Sequence, residues 1–94
     1  MTNSSRRPLS VLSETYAVDL LIHLLEKGEL MATQLLEVHS SYRTIFSVAQ
    51  RLTESRLVDV KTVRSPRVTY TFRLTSKGKK VAEKLKEARE LIGE

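Results

Sequence analysis

Ten lysine and arginine side chains lie between residues 38 and 80 (Arg43, Arg51, Arg56, Lys61, Arg64, Arg67, Arg73, Lys77, Lys79 and Lys80), against two acids, Glu54 and Asp59, for a net charge of +8. Residues 1–37 carry three basic and five acidic side chains, net −2, and residues 81–94 carry three and four, net −1. A surface that serves solubility mixes its signs throughout, as the two flanks do. One that gathers a single sign has the chemistry to take an anionic partner. The densest part, "TVRSPRVTYTFRLTSKGKK" from Thr62 to Lys80, holds six basic residues and no acidic one. Arginines among serine and threonine hydroxyls suit phosphate, which takes both ion pairs and neutral hydrogen bonds. Arg51, Lys61, Arg64, Ser65, Arg67 and Thr69 are therefore the candidates for contacts to a nucleic-acid backbone.

A second group lies just upstream. Ser41, Tyr42, Arg43, Thr44, Ser47 and Gln50 occupy a stretch in which no acidic residue occurs from Val38 to Thr53. Arginine pairs bidentately with guanine, glutamine with adenine, and serine or threonine with several acceptors, so these six are the candidates for reading base edges. Tyr42 has two uses open to it: stacking on a sugar or phosphate, or covering the edge of the core.

Other chemistries find no support. The two histidines are sixteen residues apart and there is no cysteine, so no metal-ligand spacing is readable. His23, on a polar stripe with Asp19 and Glu26, reads as a solvated surface residue, and His39 as a turn residue with a cap-like role. No nucleophile–base pair, phosphate loop or dinucleotide fingerprint appears, so neither an enzyme nor a cofactor is expected. The apolar runs fall well short of the roughly 18 residues a membrane span needs. The residues after Met1 lack the apolar stretch of a signal peptide, so the expected location is the cytoplasm. With 94 residues, 40% hydrophobic and 29% charged, the chain is one small soluble domain whose modest core a partner subunit would help.

The elements that must hold these groups can be read from periodicity. Residues 1–12 form a flexible basic arm, and residues 13–94 the domain. Ser13 is a good N-cap for a first helix, in which Ala17, Leu20, Leu21, Leu24 and Leu25 fall at helical spacing, widened by Val18 and Ile22. Lys27-Gly28 ends it. So wide an apolar face means cover on more than one side. A second helix spans about Ala32–Val38 with Leu35 and Leu36 inward. A third spans about 41–55, capped by Ser40 or Ser41, with Ile45, Val48, Ala49 and Leu52 buried. Two strands follow within 58–74, the second alternating Val68, Tyr70, Phe72 and Leu74 against Thr69, Thr71 and Arg73. Thr75 or Ser76 caps a last helix to about Ile92, whose seam Val81, Leu85, Ala88, Ile92 is spaced 4, 3, 4 like a short heptad pattern and is the candidate dimer interface.

The order is helix, helix, turn, helix, β-hairpin, helix. It is the plan of an α+β winged helix-turn-helix: three helices, a two-stranded β wing and a C-terminal helix. "QRLTESRLVDV" with "SPRVTYTFRLTSKGKKV" resembles winged-helix transcriptional regulators of the MarR, ArsR and especially HxlR type. The matching motifs are Arg51-Leu52, Leu57-Val58, Pro66 to Tyr70 and Leu74 to Gly78, and the likeness covers about residues 14–92. It implies a homodimer that binds double-stranded DNA, with the helix at 41–55 in the major groove and the wing on the backbone. The glycine usual before Leu-Val is Arg56 here, which costs about 1–2 kcal/mol where the backbone is left-handed. The turn between the helices also lacks glycine. An architectural or plasmid-partition protein of low sequence preference, or a protein-interaction module, would use the same plan. No small-molecule effector is named by any residue pattern.

Overall fold

Helix α1 (Ala17–Lys27) supplies the centre of the core. The computed structural model describes residues 16–93; the expected arm over residues 1–12 and the expected cap at Ser13 lie outside the described residues. Ala17, Leu20, Leu21 and Leu24 are fully buried along one face of α1, and Ile22 is nearly so. The helix is covered by elements on several sides, as its wide apolar face requires. Tyr16 precedes it at φ 71°, and Gly28 closes it at φ 90°, donating its N–H to the Leu24 carbonyl at 2.8 Å. Glycine reaches that φ without steric cost, so the helix stops where the sequence predicts.

The next residues depart from expectation. Glu29–Met31 form a short strand, β1, with Leu30 buried between two exposed neighbours. A 3-10 helix, Ala32–Glu37, follows in place of an α-helix. With three residues per turn, Ala32 and Leu35 share the inner face and Leu36, expected inward, turns out to 44% exposure. The Gln34 side-chain oxygen accepts from the Met31 N–H at 2.8 Å and ties the turn to the strand.

Helix α2 (Tyr42–Glu54) matches its prediction closely. Ile45, Val48, Ala49 and Leu52 are buried, and the Ser41 hydroxyl oxygen caps it by accepting from the Thr44 N–H at 3.4 Å. Its end is a Schellman motif: Arg56 N–H bonds the Thr53 carbonyl at 3.0 Å and Leu57 N–H bonds the Leu52 carbonyl at 3.1 Å. Arg56 occupies the left-handed position at φ 67°, the site where glycine is free of strain.

Strands β2 (Val58–Val63) and β3 (Thr69–Leu74) form an antiparallel hairpin in register Val58↔Leu74 through Val63↔Thr69. β1 adds to the other edge of β3, pairing Leu30 with Phe72, so the sheet has three strands in the order β1-β3-β2 rather than the expected two. Burial fades along the hairpin from Val58 and Phe72, through half-buried Val60 and Tyr70, to exposed Val63 and Val68. Val68 lies just before β3, so the expected apolar face holds only from Tyr70 to Leu74.

Helix α3 (Ser76–Gly93) is fastened to the base of the hairpin. The Thr75 hydroxyl donates to the Arg56 carbonyl at 2.7 Å and accepts from the Gly78 N–H at 2.9 Å, while Thr75 N–H bonds the Leu57 carbonyl at 3.1 Å. Gly78 is buried so close to Leu57 that a Cβ there would lie 1.8 Å from its carbonyl oxygen. Further along, Arg89 pairs with Asp19 at 3.3 Å and Lys86 with Glu26 at 3.5 Å, joining α3 to α1.

Candidate nucleic-acid interface

The buried stripe of α2 decides which of its residues face outward. With Ile45, Val48, Ala49 and Leu52 packed inside, Arg43, Thr44, Gln50 and Arg51 are exposed, and Ser47 is half-buried. Ser41 is half-buried and already holds the first turn as its cap, which leaves its hydroxyl hydrogen to donate. Tyr42 is 43% exposed and stacks on Phe46, with ring centroids 5.4 Å apart. Phe46 in turn meets Tyr70 and Phe72 edge-on at 5.7 and 5.9 Å. Tyr42 therefore ends a chain of rings that runs from the core to the surface, so one face covers apolar packing and the other meets solvent.

On the hairpin, Lys61, Arg64, Ser65 and Arg67 are exposed and Thr69 is half-buried. Lys61 lies opposite Thr71 on β3, and the whole connection from residue 64 to 68 is open to solvent. Between α2 and the hairpin runs a groove of about 310 Å3, floored by Phe46, Tyr70 and Phe72 and rimmed by Gln50, Glu54 and Thr62. Helix and hairpin thus stand side by side as two separate ridges.

The charges are arranged unlike those elsewhere. Among the described residues, Arg43, Lys61, Arg64 and Arg67 form no ion pair. Ion pairs among the described residues join α1 to α3 and to the 3-10 helix. His23, expected in free solvent, is one of these residues: its side chain is 24% exposed and its Nε2 lies 2.7 Å from a Glu37 carboxylate oxygen. His39 acts in its turn as expected, its Nδ1 accepting from the Ser41 N–H at 3.0 Å.

Of the α3 seam, Val81 and Leu85 pack half-buried against the core of their own chain, while Ala88 and Ile92 are exposed. Ala82, which the seam did not include, is the fully buried side chain of this helix. Leu91 and Ile92 stand 82% and 84% exposed at its end. Two features that serve the site escaped the sequence reading: Phe46, the centre of the ring chain, and the bonds by which Thr75, read only as a helix cap, and Gly78 clasp the base of the hairpin. Phe46 had an audible signal, an aromatic beside the buried stripe. The clasp had one too, in the Leu-Thr-x-x-Gly motif, without its physical reason.

No group of histidine, aspartate and glutamate side chains among the described residues is arranged to hold a metal ion. No described helix is long and apolar enough to cross a membrane. No protein-family model matches the chain, and no curated protein matches it in sequence. Solved structures do. A transcriptional regulator homologue from Pyrococcus horikoshii OT3 superposes with a TM-score of 0.73 at 18% identity, over 87% of this chain and 83% of that one. The diamide-treated YodB from B. subtilis gives a TM-score of 0.71 at 20% identity, over 96% of this chain and 90% of that one. The fold is a winged helix. At these identities the likeness speaks for the winged-helix backbone and leaves the side chains to be argued on their own chemistry.

Proposed function

We propose that the chain is a sequence-specific regulator of transcription that binds double-stranded DNA as a homodimer, with α2 in the major groove and the wing on the sugar-phosphate backbone. The observation that carries this reading is that Arg43 on α2 and Lys61, Arg64 and Arg67 on the wing stand exposed without an ion pair among the described residues, on a fold shared with a transcriptional regulator homologue. Arg43, Thr44 and Gln50 stand outward on α2, where arginine and glutamine suit guanine and adenine edges. Tyr42 adds stacking surface, and Ser41 and Ser47 reach acceptors close to the helix. Lys61, Arg64, Ser65, Arg67 and Thr69 on the wing, with Arg51 from α2, take phosphates.

The dimer uses the free end of α3. Leu91 and Ile92, beside Ala88, expose an apolar tip that a second copy covers, with Val81 and Leu85 extending the contact towards the domain. Two recognition helices then stand about 34 Å apart, one turn of the duplex, and select a pseudo-palindromic site.

Selection of bound duplexes from a random pool tests the reading. Enrichment of two inverted half-sites at that spacing is the expected result. Binding without enrichment would move the protein to an architectural role, and no binding at low salt would favour a protein-interaction module.

A further inference from the structure

The bond from the Ser41 backbone to His39 fixes the state of that imidazole. A backbone N–H can only donate, so Nδ1, 3.0 Å away, accepts and carries no hydrogen. The tautomer this bond requires is the one with its hydrogen on Nε2. The bond closes an i to i+2 ring of the kind an aspartate or asparagine makes in an Asx turn. Its donor belongs to Ser41, the residue that caps α2. On the other side, the His39 ring packs against the Tyr16 ring at the head of α1, with centroids 4.3 Å apart. His39 thus joins the start of α1 to the start of α2.

We infer that His39 is a positioning residue for DNA binding: as a neutral acceptor it sets the first turn of α2, and protonation releases that turn and weakens binding. The inference rests on the reading of α2 as the helix that contacts DNA. A proton on Nδ1 would set two donors facing each other, and the bond to Ser41 cannot persist. The groups around the ring do not reverse this. Tyr16 faces it from α1 and offers an imidazolium some attraction through its π face. Glu37, on the 3-10 helix, bonds His23, and Asp19, on α1, bonds Arg89; neither makes a hydrogen bond or ion pair with His39 among the described residues.

The sign separates this device from a generic effect. A histidine that merely sat near phosphates would gain charge in acid and tighten binding. Here acid loosens it.

The experiment is the affinity of the full chain for a duplex, at constant ionic strength, from about pH 8 to about pH 5.5, the interval in which imidazoles change charge. The wild type should bind about five- to tenfold more weakly at the acid end, the size of a lost helix cap. His39→Asn, whose Oδ1 accepts the same amide without titrating, should match wild type at the alkaline end and lose the acid fall. His39→Ala should be weak throughout, and His23→Gln should keep the fall. Tighter binding in acid, or an acid fall retained by His39→Asn, would overturn the proposal. A wild type that binds no duplex at any pH overturns the DNA reading instead. Amide exchange at Ser41 and Thr44 in the free protein then decides the positioning role: His39→Ala speeds it and His39→Asn does not, and equal rates in the two variants would refute it.

Discussion

Two faces of this domain carry many exposed charges and treat them in opposite ways. Where α1, α3 and the 3-10 helix meet, the signs are mixed and joined: Asp19 with Arg89, Glu26 with Lys86, Glu37 with His23. On α2 and the wing, Arg43, Lys61, Arg64 and Arg67 stand exposed without an ion pair among the described residues. Exposed pairs are each worth only about 0–1 kcal/mol, so the joined face is not what holds the fold together. Its effect is to cancel field on one side of the molecule and leave it on the other. Like charges crowded together repel, and a surface that keeps them supports the proposed anionic partner.

The comparison depends on the wing keeping its place beside α2, and the largest effect is expected where that place is fixed. Gly78→Ala drives a Cβ into the Leu57 carbonyl and should cost about 3 kcal/mol of stability in urea denaturation, the upper range for overpacking a tight site. Full stability in that variant would mean the clasp is looser than described. Next comes Arg43→Ala, which should cost about 1–3 kcal/mol of binding and relax sequence preference. If affinity and preference were both untouched, α2 would not be the reading helix. The double change Arg64→Ala with Arg67→Ala should weaken all sequences alike and reduce the log–log salt slope by about two, with stability unaltered. Made on the joined face, Lys86→Ala with Arg89→Ala should leave that slope nearly unchanged and cost about 1 kcal/mol of stability at most. Equal slopes for the two doubles would erase the distinction between the faces. Smallest is Arg56→Gly, which relieves a left-handed arginine at φ 67° and should gain about 1 kcal/mol. A loss of stability there would mean the arginine side chain contributes more than its backbone costs.

Elements with a long period were legible in the sequence. The α2 stripe runs through Ile45, Val48, Ala49 and Leu52 over two turns, and each of its members is buried. Gly28, Ser41 and Thr75 marked boundaries because each has a local mechanism: a left-handed stop for Gly28, an oxygen that accepts a helical N–H for the other two. Shorter features were not legible. β1 spans three residues, too few to show alternation, and it exists because Leu30 pairs with Phe72, forty-two positions away. Leu36 was misplaced because a 3-10 turn and an α turn put it on different faces, and six residues cannot tell those periods apart. The His23–Glu37 bond spans fourteen residues and depends on how α1 meets the 3-10 helix, which periodicity does not encode. The site followed the same rule. Its basic character was plain from composition, whereas the ring chain from Tyr42 through Phe46 to Tyr70 needed the sheet to be folded against the helix.

The most direct test of the charge argument is the anisotropy of a labelled random-sequence duplex titrated with the protein at several salt concentrations. The account predicts a log–log slope of several units, about 0.9 for each phosphate neutralised by α2 and the wing. A flat response, or no binding at low salt, would contradict it and leave the basic face to some other partner.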